Sequence, residues 1–263
     1  MNPAMWTAKT GVQAQDAQLD AIANNLANAN TVGFKADRVV FNDLPYQVEQ
    51  QPGQQLASGG NAPLGTQVGT GTRVVGTQKV FTNGSLQQTS QPLDLAIVGQ
   101  GFFQVQQANG ELAYTRAGQF QVDSQGHVVT AQGLPLQPQL TIPTNATAIT
   151  ISQTGLVSAT VPGQTQPQQV GQIALANFVN PAGLTALGDN LFQETTGSGN
   201  PVTGNPGESA FGTITQGSLE SSNVQVVEQM VDMIAAQRTY EMNTKVLSAS
   251  DNMMQMLDGA VRT

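Results

Sequence analysis

Residues 218–263 read SLESSNVQVVEQMVDMIAAQRTYEMNTKVLSASDNMMQMLDGAVRT and contain no proline, and no glycine before Gly259. It is the longest stretch of the chain without a helix breaker. Within it Val226, Gln229, Met233, Ala236, Tyr240, Asn243, Leu247, Ser250, Met254, Leu257 and Val261 fall at alternating steps of three and four. That spacing predicts a helix with a narrow seam of the coiled-coil kind. Val227, Met230, Val231 and Ile234 widen the apolar stripe in its first half, so this helix is expected to touch more than one neighbour. Ser221 or Ser222 is expected to cap it, with Glu220, Glu228 and Asp232 placing negative charge at the positive end of the helix dipole.

A second seam opens the chain. Met5, Ala8, Val12, Gln15, Leu19, Ile22, Leu26 and Ala29 keep the same spacing, and only Gln15 breaks the apolar run. This helix is expected to stop between Asn28 and Gly33, where ANANTVG sets weak helix formers against a glycine suited to a left-handed cap. A seam of about four heptads is near the limit of independent stability, so both helices are expected to be largely disordered in a dilute monomer and to order on polymerisation.

Between the helices the pattern changes to short apolar runs separated by Gly, Pro and Asn, such as LDLAIVGQGFFQVQ and YTRAGQFQVDSQGHVVTAQGLPLQP. These predict an antiparallel sheet domain, with NGEL and DSQG as hairpin turns. The fold class expected is therefore α+β, mostly β: terminal helices paired in a coiled-coil layer, an extended connecting region, and an antiparallel β outer domain. Residues 50–72 contain no charged side chain and are rich in Gln and Gly. That composition suits an extended segment, or one laid against copies of itself, since nothing in it repels.

Composition removes several functions. Charged residues are 10% of the 263, against about 25% in an ordinary globular chain. The net charge of −8 lacks the basic footprint of a nucleic-acid binder. There is no cysteine and only one histidine, His127, so neither a conventional zinc site nor a thiolate nucleophile is expected. His127 lies near Asp123 and Ser124, but neighbouring turn residues do not converge as a triad does, and a surface turn is the expected place for it. Gly69, Gly71 and Gly76 match neither phosphate-loop pattern. Asp94, Glu111 and Asp123 are expected at strand ends, solvated or in salt contact with Arg116, rather than as a catalytic carboxylate pair. No apolar run approaches the roughly 20 residues of a membrane span, and the first residues lack the pattern of a cleavable signal peptide. No cofactor, metal or catalytic residue is expected.

Two amphipathic helices with more apolar surface than a hairpin buries, and little charge to repel copies, point to self-association. A non-closing contact between identical copies makes a helical filament. At the level of motifs, ANNLANANTVGFK at residues 23–35, GQGFFQV at 99–105 with AYTRAGQFQVDSQGHVVTAQGLPLQP at 113–138, and VVEQMVDMIAAQRTYEMNTKVLSASDNMMQ at 226–255 resemble the bacterial flagellar rod and hook family of axial proteins. LANFVNPAGLTALGDNLFQETTGSG and the overall length are similar to its distal-rod branch.

The resemblance implies a non-enzymatic subunit of the flagellar basal body, in a rod that spans the periplasm and reaches the outer membrane. It implies assembly into a rigid hollow helical tube that carries motor torque to the hook and serves as an export channel. The implied partners are further copies of the chain, proximal rod subunits, the hook protein, the P-ring and L-ring proteins as a bushing, and the flagellar type III export apparatus, with no nucleic acid and no membrane insertion. The implied organisation is an inner helix at residues 1–33, a connecting region at 34–93, an outer β domain at 94–217 and a second inner helix at 218–263. The assembly interface would use Met5, Ala8, Val12, Leu19, Ile22 and Leu26 with Val226, Val227, Val231, Met233, Ile234, Tyr240, Leu247, Met254 and Leu257. A rigidity tract between Tyr46 and Arg73 would include Gln50, Pro52, Leu56, Pro63, Leu64 and Gly71. Two other readings are a proximal rod subunit, against which the long Gln/Gly tract argues, and a secreted carbohydrate-binding or hydrolytic β domain, for which the lone Trp6 offers no aromatic platform.

Overall fold

The computed structural model describes residues 3–51, 64–163, 166–208 and 210–261. Helix α1 (Pro3–Ala27) is followed by β1 (Asp37–Asp43), β2 (Tyr46–Gln50), β3 (Thr66–Gly69), β4 (Thr72–Lys79) and β5 (Leu86–Gln88). Next come β6 (Leu95–Val98), β7 (Phe102–Gln106), β8 (Leu112–Thr115), β9 (Phe120–Val122), β10 (Val128–Thr130), β11 (Leu136–Gln137) and β12 (Ala148–Ile151). The chain continues through β13 (Leu156–Thr160), β14 (Gln168–Gln172), β15 (Leu175–Asn177), β16 (Thr185–Gly188), β17 (Leu191–Gln193), β18 (Val202–Gly204), β19 (Thr213–Gln216) and β20 (Ser218–Glu220) to helix α2 (Val226–Val261). The molecule is thus mostly β with a helix near each end.

Contacts divide it into two units. One comprises Met1–Leu26, Asp37–Gln78 and Gln225–Thr263; the other comprises Ala27–Ala36 and Lys79–Val224. In the second, the main sheet runs β16-β17-β8-β7-β15-β18, with β11 also paired to β7. All its registered pairings are antiparallel. The turn at residues 107–111 joins β7 to β8, and Asp123 to His127 joins β9 to β10, so both expected hairpins form where their Gly-containing turns permit.

The apolar faces of these strands bury two clusters. The larger gathers Leu95, Ile97, Phe103, Val105, Leu136, Ile173, Leu175 and Ile214 among others. The smaller is aromatic: Phe102, Tyr114, Phe178 and Phe192, with Phe81 packed on it. Its rings meet edge to face at centroid distances of 4.8–6.1 Å, the arrangement their quadrupoles favour.

Tyr114 donates from its hydroxyl to Glu194 Oε2 at 3.3 Å. Burial, with the Glu194 charge beside it, pushes this phenol up to about 12. Since an unfolded tyrosine ionises near 10, the contribution of this group is complete below about pH 10. It is lost as pH rises towards about 12, because the unfolded chain releases the proton first. In urea titrations Tyr114→Phe is expected to flatten the fall of stability over that window; an unchanged slope would show that Tyr114 is not its source.

Three expectations need correction. Residues 218–220 form a strand paired with β5, so α2 begins at Val226, beyond Ser221 and Ser222, and neither caps it. The Ser222 hydroxyl instead accepts from the Val224 amide at 3.3 Å. Glu220, read as a charge for the helix dipole, is buried in β20. The partner of Arg116 is this Glu220 at 3.4 Å, whereas Asp94, Glu111 and Asp123 are engaged in their own turns and strand ends.

Candidate functional site

In the helical unit, α2 is buried with a strict period. Among its described side chains Gln229, Met233, Ala236, Tyr240, Asn243, Leu247 and Ser250 are half-buried or buried while most neighbours are exposed. Those are the seam positions. Asn25 Nδ2 donates to Gln229 Oε1 at 3.0 Å, and Gly11 backs onto Asn243 so closely that a Cβ there would lie 2.9 Å from its amide nitrogen. The two contacts are fourteen residues apart on each helix and occur in opposite order, so α1 and α2 run antiparallel along this face. Asn25 also accepts from the Asp37 amide at 2.7 Å and donates to the Asp37 carbonyl at 2.8 Å, which fastens the start of β1 to the end of α1.

The opposite side of α2 is apolar and open. At 100° per residue, Val227, Val231, Ile234 and Met256 fall about half a turn from the seam, with Met230, Met242, Val246 and Met253 flanking them, and all are exposed, Val227 by 76%. Arg238 and Lys245 interrupt this stripe. The expected assembly residues therefore separate into two groups. Ala8 and Ile22 are buried, and Val12, Leu19, Leu26, Met233, Tyr240 and Leu247 half-buried, within the unit itself. Met5, Val226, Val227, Val231, Ile234 and Met254 are exposed; the side chain of Leu257 lies outside the described residues.

The second feature is a ribbon. β1 pairs with β4, and β2 with β3 in the register Tyr46↔Gly69, Gln47↔Val68 and Val48↔Gln67. Each is a two-stranded sheet, and such ribbons are marginal on their own in water. Val40, Tyr46, Val48, Val74 and Val75 are exposed along it. Its base is held where Thr72 N donates to Thr10 Oγ1 of α1 at 3.3 Å and Leu44 N donates to the Gly71 carbonyl at 2.9 Å. Gly71 takes a φ of +116°, and a Cβ there would run into the Thr10 side chain. Only glycine allows this approach. Of the tract residues, Gln50 is half-buried in β2 and Leu64 is 80% exposed, while Pro52, Leu56 and Pro63 lie outside the described residues.

His127 Nδ1 lies 3.1 Å from Thr141 Oγ1, and Asp123 Oδ1 accepts from the amides of Gln125 and His127 at 2.8 Å each. These amide bonds, led by that of His127, hold the Asp123 carboxyl below its usual range, as expected for a turn-capping carboxylate. Among the described residues no group of three or more His, Asp or Glu is placed to hold a metal, and no helix is long and apolar enough to cross a membrane. Sequence reasoning missed the ribbon's strand pairing, whose only signal is the alternation in residues 37–50 and 66–79.

Comparison with known proteins gives the family. Residues 5–35 match the family described as flagella basal body rod protein, residues 96–159 the flagellar hook protein FlgE/F/G D1 domain, and residues 215–259 the flagellar basal body rod FlgEFG protein C-terminal family. The chain is 48% identical over 257 residues to the flagellar basal-body rod protein FlgG of Buchnera aphidicola subsp. Schizaphis graminum, covering 98% of this chain and 99% of that one. It is 49% identical over 253 residues to FlgG of Caulobacter vibrioides, covering 96% and 97% of the two chains. Over 264 residues it is 44% identical to FlgG of Borreliella burgdorferi, with 100% of both covered.

Proposed function

Because this chain belongs to the flagellar basal-body rod family, as a structural subunit located in the flagellar basal body, we propose that it self-assembles through its helices into a rigid, hollow helical rod. The rod transmits torque to the hook and leaves a central channel for export. The observation that carries this reading is the exposed apolar stripe of α2, opposite the seam that α1 already covers. A helix apolar on two faces needs two partners, and the second is supplied by neighbouring copies. In this reading the terminal helices at residues 1–33 and 218–263, the latter helical from Val226, make a coiled-coil inner layer. The region 34–93 connects it to an outer β domain at 94–217, which turns within the P-ring and L-ring proteins. Proximal rod subunits, the hook protein and the flagellar type III export apparatus are its remaining partners, and the rod spans the periplasm to the outer membrane.

The double variant Val231→Glu/Ile234→Glu tests the stripe, because both side chains are exposed and their replacement leaves the folded subunit intact. Concentrated wild-type protein is expected to form straight polymers visible by electron microscopy, and the variant to remain monomeric with an unchanged melting temperature. Polymers formed by the variant as readily as by wild type would overturn this use of α2.

The ribbon is the stiffener in the same reading. Its exposed valines and Tyr46 lie against adjacent copies and add a contact shell at a radius different from that of the helices. Deleting residues 50–71 is expected to leave a folded, exportable subunit whose polymers curve or bend. Straight polymers of unchanged rigidity would remove that role.

A further inference from the structure

The chain passes between its two units four times, after Leu26, Ala36, Gln78 and Val224. Within the β-rich unit, the segments that carry those crossings are tied together through one buried carboxylate. Glu220 Oε1 accepts from Lys35 Nζ at 2.7 Å and from the Gly84 amide at 2.9 Å. Its Oε2 faces Arg116 Nη1 at 3.4 Å, and its carbonyl accepts from the Gly33 amide at 2.8 Å. Lys35 Nζ also donates to the Thr82 carbonyl at 2.7 Å, and Arg116 Nη2 to the Gly99 carbonyl at 2.8 Å.

Three residues along, Asn223 repeats the arrangement with an amide. Its Oδ1 accepts from the Ala36 amide at 2.8 Å, while its Nδ2 donates to the Val80 carbonyl at 2.8 Å and Thr82 Oγ1 at 2.9 Å. Val80 N donates to the Ala36 carbonyl at 2.9 Å. Residues 33–36, 80–85 and 220–223 are therefore bonded pairwise, on all three sides.

Stability alone does not call for charges here. Lys35, Arg116 and Glu220 have side chains at most 3% exposed, and an apolar trio of similar volume is often as stable as a buried ion triad. What an apolar trio lacks is directed acceptors and donors for the Gly84 amide and the Thr82 carbonyl, which hold two backbone segments at fixed angles. Residues 27–36 and 79–224 contain only three Lys or Arg side chains, Lys35, Lys79 and Arg116. Two of them converge on Glu220, and Lys79 Nζ reaches the Lys35 carbonyl at 3.3 Å.

We infer that Glu220 and Asn223 are positioning residues that lock the places where the chain leaves the β-rich unit, so that load applied to that unit passes into backbone held on three sides. This inference rests on the rod reading. Its test compares wild type with Asn223→Leu, which severs the tie without burying a lone charge, and with Lys35→Met/Arg116→Met/Glu220→Met, which removes the triad in balance. Hydrogen exchange is followed in peptides covering 33–36, 80–85 and 220–223, with residues 148–160 as an internal reference, and polymer straightness is measured by electron microscopy.

The joint peptides of both variants are expected to exchange at least tenfold faster, with the reference unchanged, and their polymers to bend over shorter lengths than wild type. Wild-type exchange at the joint, or a loosened joint in polymers as straight as wild type, overturns the inference. A general rise that includes the reference peptides does so too, because it indicates a merely structural role. Should the triple variant not fold, Asn223→Leu decides alone. Failure of the wild-type chain to polymerise would instead strike the rod reading, and the exchange comparison would still judge the tie.

Discussion

Gly33→Ala is expected to cost about 4 kcal/mol, most of the stability of a marginal domain. The position has a φ of +73°, and a Cβ there would sit 2.6 Å from the Ala117 amide nitrogen and 2.8 Å from the Arg116 carbonyl carbon. A left-handed conformation costs a non-glycine residue about 1–2 kcal/mol. Overpacking adds about 1–3 kcal/mol more, and the obstacle here is backbone, which cannot swing aside as a long side chain can. Gly33 also donates its amide to the Glu220 carbonyl, so displacement of the turn strains β20. Urea midpoints check this, with Gly76→Ala as the control, since nothing lies within 4 Å of a Cβ at Gly76. Equal midpoints for the two variants would show that the turn relaxes.

Phe102→Ala is expected to lose a similar amount, about 3–5 kcal/mol, the range for truncating a buried aromatic. Phe102 is fully enclosed and meets Phe81, Phe178 and Phe192 edge to face. The Arg116 guanidinium lies over its ring at 5.3 Å, so the truncation also removes a cation–π contact from a desolvated group. The surrounding β strands limit collapse around the cavity. Val179→Ala in the same unit is the matched control: Val179 is 89% exposed, and its truncation is expected to change the melting temperature by less than about 1 °C. A loss below 1 kcal/mol for Phe102→Ala would mean that the aromatic cluster repacks.

The helical seams were legible because periodicity survives in sequence whatever the partner is. The α2 positions read as a seam from Gln229 to Ser250 are those whose burial alternates with exposed neighbours. Val226 and Met254, at either end of that seam, are exposed, because intramolecular cover does not reach them. The hairpin turns at Asn109-Gly110 and Asp123 to Gly126 were legible for a local reason, as their Gly and Asx residues specify the turn.

Other features were not legible. Glu220 sits six residues before the first seam position, Val226, close enough for its charge to read as helix N-terminal. Nothing local shows that Lys35, 185 residues away, meets it in the interior. Burial of a charge is decided by tertiary partners, and sequence spacing carries no trace of them. The ribbon was hidden for a related reason: most of β2 and the middle of β4 are exposed on both faces, so only β1 keeps the alternating burial that marks a strand.

The central claim, that the outward stripe of α2 is covered only by other copies, is tested most directly by hydrogen exchange on the same chain, dilute and polymerised. Peptides covering 3–27 and 226–261 are expected to gain strong protection on polymerisation, while 95–115 in the β core are equally protected in both states. Equal protection of α2 in both states, or a gain confined to the β-rich unit, would contradict it.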